Sequence, residues 1–222
     1  YLLQTNHLHL YQNQDTMTDL IEKLSGTKVV PVVTLHDAKD AVPLAKALQA
    51  GGINAIELTL RTDAAYDGIK AIAEADLGIL LGVGTVIHKN QVEACAEIGV
   101  DFVVTPGTTP ALIQAISEAG IPAIPGISTT GEAVAMIEAG YDFVKFFPAE
   151  ANGGIATLKA IGGPLTQLRF MPTGGIGKDL VRPYLDVKTV VSVGGSWVAD
   201  KDNLAAKNWD AIIENAKLAQ SL

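Results

Sequence analysis

The sequence has little that can cross-link and no stretch that can span a bilayer. A single cysteine, Cys95, in 222 residues excludes an internal disulfide and any cysteine-rich metal site. Because it falls inside the helical pattern VEACAEIG (92–99), it reads as a small buried residue rather than a reactive thiol. The longest apolar run, GILLGVGTVI (78–87), is far shorter than the roughly 20 residues a membrane helix needs. The start of the chain also lacks a basic region followed by an apolar signal core, so the expectation is a soluble cytoplasmic protein with no membrane partner. Basic residues are scarce: 16 Lys and Arg against 24 Asp and Glu give a formal charge of −8. Without clustered cations nothing rewards a polyanion, and nucleic acid is excluded as a partner. Any anionic ligand has to be captured locally.

Two further absences narrow the chemistry. No H-x-x-x-H or H-E-x-x-H spacing is present to hold a metal, and His36 and His88 stand alone, each just past an apolar run, where capping or surface roles suit them. No G-x-S-x-G elbow marks an acyl-transfer serine.

What is present is the balance of a globular protein rich in buried strand and tight turns: 48% hydrophobic residues, 18% charged and 22 glycines. Residues 1–16, YLLQTNHLHLYQNQDT, differ from the rest and read as a flexible N-terminal extension before a natural start at Met17. The His7-x-His9 pair lies there and reads as part of a polar tail. Residues 17–222 read as one domain.

Within that domain one unit recurs: a helical segment ends near an Ala-Gly pair and a β-branched run follows. AKALQAGGINAIEL, VEACAEIGVDFVV, LIQAISEAGIPAIPG and VAMIEAGYDFVKFF are four examples, with Gly99, Gly120 and Gly140 at the helix ends. Eight strands are predicted, at 29–33, 55–60, 78–84, 102–107, 123–128, 143–149, 169–175 and 190–195. Between them lie helical patterns such as DAVPLAKALQA, AAYDGIKAIAEA, NQVEACAEIG, PALIQAISEAG, GEAVAMIEAG and IATLKAI. Compact, near-uniform alternation of this kind predicts an α/β fold, a (β/α)₈ TIM barrel, with TDLIEKL (18–24) as an N-terminal helix capping its bottom.

In that fold, chemistry sits at the C-terminal ends of the strands. Side chains alternate along a strand, so in IELTLR (56–61) Glu57, Thr59 and Arg61 share the face turned into the barrel. An internal Glu57–Arg61 salt bridge is one reading of that face. The same parity turns Lys145 of FVKFFPAE (143–150) inward with Phe143 and Phe147. Aromatic and cationic neighbours disfavour an ammonium there, the condition under which a lysine attacks carbonyls, and Glu57 is the carboxylate placed to move protons. Glycine loops close several strands, including GVGT (82–85), TPG (105–107), TGG (173–175) and GGS (194–196). The last two follow the seventh and eighth strands, where barrels hold phosphates on backbone N–H groups.

The motifs ELTLRT (57–62), GVGT (82–85), TPG (105–107), IPGIST (124–129), FVKFFPAEANGG (143–154), PTGGI (172–176) and GGSW (194–197) resemble, in order, those of the bacterial 2-keto-3-deoxy-6-phosphogluconate (KDPG) and 4-hydroxy-2-oxoglutarate aldolases. The resemblance implies a homotrimeric barrel and a class I, cofactor- and metal-independent aldolase. It assigns the imine to Lys145 and general acid/base work to Glu57. It gives the substrate carboxylate to Arg61 and Thr85, the pocket wall to Pro106 and Phe147, and the phosphate to Thr173, Gly174, Gly175, Gly195 and Ser196. The implied ligands are a phosphorylated keto acid and pyruvate. An aldolase for the galactonate epimer, and a non-catalytic phosphate-binding barrel in which Lys145 only pairs a charge, stand as the alternatives.

Overall fold

The computed structural model describes residues 18–222. The tail pair His7 and His9, the start at Met17 and the extension over 1–16 lie outside the described residues.

The chain opens with helix α1 (18–25), whose Leu20 and Leu24 are buried. Strands β1 (Val29–Val33), β2 (Ala55–Thr59), β3 (Leu80–Gly84), β4 (Phe102–Val104), β5 (Ala123–Ile124), β6 (Gly126–Ile127), β7 (Phe143–Phe146), β8 (Arg169–Phe170) and β9 (Val193–Gly195) follow. They alternate with helices α2 (Ala41–Ala50), α3 (Ala65–Glu74), α4 (Lys89–Ile98), α5 (Pro110–Ala119), α6 (Thr130–Glu138), α7 (Gly154–Gly162), α8 (Lys178–Leu185), α9 (Lys201–Ala205) and α10 (Trp209–Ser221). Every strand pair is parallel, in the orders β5-β4-β3-β2-β1-β9 and β6-β7-β8.

These two arcs make one barrel. β5 and β6 are a single strand interrupted at Pro125, which has no N–H to give the ladder, while its carbonyl still accepts from Lys145 N at 2.9 Å. On the far side, bridges Phe170↔Val190 and Thr173↔Gly194 join β8 to the β9 edge. The expected run over 169–175 is regular only at Arg169–Phe170, because Pro172 and the glycines at positive φ (Gly174 at 104°, Gly175 at 78°) take the chain out of the pleat. Its backbone nonetheless keeps company with β7, Met171 N donating to Val144 O at 2.9 Å and Thr173 N to Phe146 O at 3.0 Å. Similarly, only Val193–Gly195 of the last predicted run is strand.

The predicted helices form, with ends that follow local chemistry. Thr129 and Glu132 build a capping box at α6, and Thr109 with Pro110 starts α5. Gly99 (φ 78°) and Gly120 (φ 67°) end α4 and α5 in the left-handed conformation, whereas Gly140 (φ 86°) comes one residue after the α6 cap, Ala139. His88 caps α4, its N–H bound by Gln91 Oε1 at 3.1 Å. Helices α8, α9 and α10 were not singled out by the sequence patterns, α8 carrying a proline, Pro183, inside it.

Helices cover the outer faces of the strands: α10 and α3 flank α2, and α5 packs on α4. The outward-facing residues Ile56, Leu58, Val144 and Phe146 are all at most 1% exposed, each contributing about 1.5–3 kcal/mol by burial. Cys95 is on the buried face of α4, where loss of solvation pushes its thiol up to about 12, so it stays a neutral apolar group. At the opposite end from the glycine loops, Lys23 of α1 shares a cavity of about 520 Å³ with Asn54, Leu80, Leu81 and Asp101, at the N-terminal ends of the strands. That shared cavity puts α1 at the bottom of the barrel, as the sequence predicted.

Candidate active site

Strand parity delivers the first pair. Glu57 on β2 is 0% exposed and Lys145 on β7 2%, and Lys145 Nζ meets Glu57 Oε1 at 3.2 Å. Eighty-eight residues apart in the chain, they meet only because the sheet curls the inward faces of β2 and β7 toward each other. Glycine makes the space. A methyl group on Gly84 would lie 2.1 Å from Glu57 Oε1, and one on Gly82 would enter the Phe102 ring at 2.2 Å. The GVGT motif is therefore a pair of notches in β3, one for a carboxylate and one for a phenyl ring. The Phe147 ring centroid lies 5.2 Å from Lys145 Nζ, within cation–π range. Glu57 Oε2 is buried, and among the described residues no group hydrogen-bonds to it. A buried carboxylate oxygen is the kind of acceptor a reacting hydroxyl or a water satisfies.

Arg61 does not join this pair. β2 ends at Thr59, the chain turns with Arg61 N donating to Thr59 O at 2.9 Å, and the exposed Arg61 side chain leaves the parity of the strand. The internal Glu57–Arg61 salt bridge is thus absent, and Lys145 has taken its place as the partner of Glu57. Arg61 Nε instead donates to Thr85 Oγ1 at 3.0 Å, and among the described residues no carboxylate pairs with its guanidinium. Thr85 sits at φ 62°, a left-handed backbone that is unusual for a β-branched residue and costs about 1–3 kcal/mol. Such strain is held where a side chain must point one way. Thr59, the remaining inward residue of β2, donates to Val33 O at 3.1 Å and lies 2.8 Å from the Thr34 hydroxyl.

A cavity of about 350 Å³ opens at the barrel mouth, lined by Arg61 and Phe147 together with Thr173, Gly174, Gly175 and Ser196. Six of the sequence-predicted residues therefore face one space. Gly177, Gly194 and Trp197 line it too. A Cβ on Gly194 would strike Thr173 Oγ1 at 2.2 Å, and one on Gly195 would meet Val29 at 2.8 Å and the Trp197 ring. Pro106 is not in this lining; it is half-buried beside Gly126, where an added Cβ would lie 2.5 Å from the Pro106 carbonyl carbon. Gly126 is the register partner of Lys145, so Pro106 stands on the lysine side of the mouth. Helix α8 begins at the edge of the cavity, with Gly177 as its N-cap. Main-chain N–H groups of a helix start and a glycine loop favour an anion without any added positive residue. Among the described residues no three His, Cys, Asp or Glu side chains gather as a metal site, and no helix is long and apolar enough to cross a membrane.

The arrangement combines a buried amine with a carboxylate in contact with it inside the barrel, and at its mouth a guanidinium that no carboxylate pairs among the described residues and an uncharged anion cradle. Known proteins resemble the chain in sequence and in fold. The family model for KDPG and KHG aldolase matches residues 20–215. The KHG/KDPG aldolase of Escherichia coli (strain K12) is 46% identical over 196 residues, covering 88% of this chain and 92% of that one. The 2-dehydro-3-deoxy-phosphogluconate aldolase of Pseudoalteromonas atlantica is 48% identical over 191 residues, 86% of this chain and 89% of its own. Among solved structures, KDPG aldolase from Legionella pneumophila, with pyruvate captured as a covalent carbinolamine intermediate, superposes with a TM-score of 0.85 at 39% identity, over 87% of this chain and 94% of that chain. The Zymomonas mobilis enzyme with 3-phosphoglycerate gives 0.84 at 36%, over 92% and 96%. With a barrel of this topology and relatives of this similarity along nearly the whole described chain, the protein belongs to the KDPG and KHG aldolase family.

Proposed function

We propose that this chain is a class I aldolase that cleaves 2-keto-3-deoxy-6-phosphogluconate to pyruvate and glyceraldehyde 3-phosphate, and also 4-hydroxy-2-oxoglutarate to pyruvate and glyoxylate. As a member of its family it is a carbon–carbon lyase; the imine mechanism, the residue roles and the substrate preference are the finer part of the reading. The observation that carries it is the contact of buried Lys145 Nζ with Glu57 Oε1 at 3.2 Å.

The steps follow from that contact. Lys145, as the free amine, adds to the C2 ketone of the keto acid. With the proton that Lys145 gave up to Glu57 returned to the departing hydroxyl, the carbinolamine loses water to an iminium, whose positive nitrogen is the electron sink. The C3–C4 electron pair moves into the iminium to give an enamine. The C4 hydroxyl gives its proton to Glu57 as C4 becomes the aldehyde carbonyl, and the aldehyde leaves. Protonation of the enamine at C3, with Glu57 returning the proton, gives the pyruvate imine, and water releases pyruvate and the amine. Atoms and electrons balance without a cofactor. Arg61, aligned by Thr85, holds the carboxylate; Pro106 and Phe147 wall the reacting carbons; Thr173, Gly174, Gly175, Gly195 and Ser196 serve the phosphate end, where Gly194 also supports the reading through its place in the cavity lining. The same reading takes residues 17–222 as one catalytic domain and keeps a cytoplasmic homotrimer, as the family resemblance implies.

Borohydride reduction in the presence of pyruvate tests it. The expected product is a secondary amine carrying the pyruvate skeleton on Lys145, located by mass spectrometry; no adduct, or one on another lysine, refutes the mechanism. Cleavage rates on KDPG, its C4 epimer and 4-hydroxy-2-oxoglutarate then rank the substrates.

A further inference from the structure

The loops after β7 and β8 are laced together past the ends of their strands. Ala149 N donates to Thr173 O at 2.8 Å and Glu150 N to Gly174 O at 3.0 Å. The chain that follows Lys145 therefore runs beside the backbone that lines the mouth. Glu150 is exposed to solvent, yet its side chain is not idle. A methyl group on Gly175 would come within 2.8 Å of Glu150 Cβ, so the glutamate stem lies directly on that glycine. Its Oε1 accepts a 2.5 Å hydrogen bond from the Tyr184 hydroxyl. Tyr184 belongs to α8, the helix that starts where this loop ends, and it is completely buried. Burial first, and the Glu150 carboxylate second, push its phenol well above the ordinary range, so it remains a donor at any working pH. Gly174 is held as closely from the other side: a Cβ there would sit 3.2 Å from Pro148 Cα and 3.3 Å from the Phe147 ring.

We propose that Glu150 and Tyr184 are positioning residues: their hydrogen bond clamps the Gly174–Gly175 loop between the segment that follows Lys145 and helix α8, fixing the distance from the reactive amine to the phosphate donors. This rests on reading the mouth cavity as the phosphate end. A charge-assisted hydrogen bond at the rim is short and directional, and it sits where a slack loop of two glycines would otherwise sample many conformations. A ligand that spans from Lys145 to the loop senses that distance. A ligand without a phosphate does not.

The test compares two substrates in three variants. Tyr184→Phe keeps the buried ring and removes the donor; Glu150→Ala removes the acceptor from an exposed position that leaves the core intact; Glu150→Gln keeps an acceptor oxygen. For Tyr184→Phe and Glu150→Ala the KM for KDPG is expected to rise about tenfold, the lower end of what a hydrogen bond to a charged group is worth. The KM for 4-hydroxy-2-oxoglutarate and borohydride trapping of pyruvate should stay at wild-type level. Glu150→Gln should recover most of the loss. If Tyr184→Phe does not fold, Glu150→Ala alone decides. Equal losses on both substrates, or a KDPG preference unchanged in both disrupting variants, overturn the clamp while leaving the aldolase reading in place. A wild-type protein that shows no preference for the phosphorylated substrate overturns the phosphate reading, and the clamp with it.

Discussion

The two ends of the barrel make a useful contrast. The bottom holds a cavity of about 520 Å³ and the mouth holds cavities of about 350 and 510 Å³, and at the bottom cavity a carboxylate and an ammonium are already engaged. Asp101 Oδ2 accepts from Leu81 N at 2.7 Å, and Lys23 pairs with Asp19 at 2.6 Å in solvent. At the mouth and just beneath it lie, among the described residues, a carboxylate oxygen with no partner, a guanidinium with no carboxylate, a threonine at φ 62° and consecutive glycines at positive φ. Volume does not distinguish the two ends; the functional groups gathered at the mouth do. Bottom turns only return a helix to a strand, and helix C-caps suffice for that. Loops after the strands have to aim side chains inward, as Thr85 at φ 62° does, while the bottom keeps Asp76 at φ 44° and Asp142 Oδ1, which is buried with no hydrogen-bond partner among the described residues.

Substitutions can break this contrast, and they are ordered here by expected effect on activity. Lys145→Met, similar in length and uncharged, should abolish cleavage and borohydride trapping together, and it should lower stability by up to about 3–5 kcal/mol by leaving Glu57 buried and alone; calorimetry and turnover read the two effects separately. Glu57→Gln keeps the shape, and cleavage should fall about 10²–10⁴-fold while imine trapping persists. Were cleavage unaffected, Glu57 would be a structural partner only. Gly84→Ala removes no functional side chain but drives a methyl group to 2.1 Å from Glu57 Oε1, which must shift. A displacement of that order costs roughly 10²-fold in rate, measurable as kcat at unchanged Lys145 reactivity toward pyruvate. Asp101→Ala, at the bottom, should cost about 1 kcal/mol in urea unfolding through the lost Leu81 N–H acceptor and leave kcat/KM as it was. A large activity loss from that last change would erase the distinction between the ends.

Much of this was legible in the chain. Period-two alternation placed Glu57 and Lys145 on inward faces, and the glycine-ended helical units placed those faces in a barrel. Legibility stopped where the strands stopped. Arg61 was assigned by parity to the Glu57 face, but β2 ends at Thr59, and past a strand end alternation carries no information. Helix α8 escaped notice because Pro183 breaks its pattern, and with it went Tyr184. Glu150 stood inside the quoted motif, but a carboxylate in a loop announces no partner 34 residues away.

By itself the sequence determined the repeating units, the inward direction of Lys145 and Glu57, and the absence of metal motifs and of basic surface, because these depend on local periodicity and composition. Tertiary structure alone decided that Glu57 pairs with Lys145 rather than Arg61, that β3 is notched to admit the carboxylate, and that Glu150 reaches Tyr184. Each of these needs the closed barrel, whose curvature brings together side chains that no local rule relates.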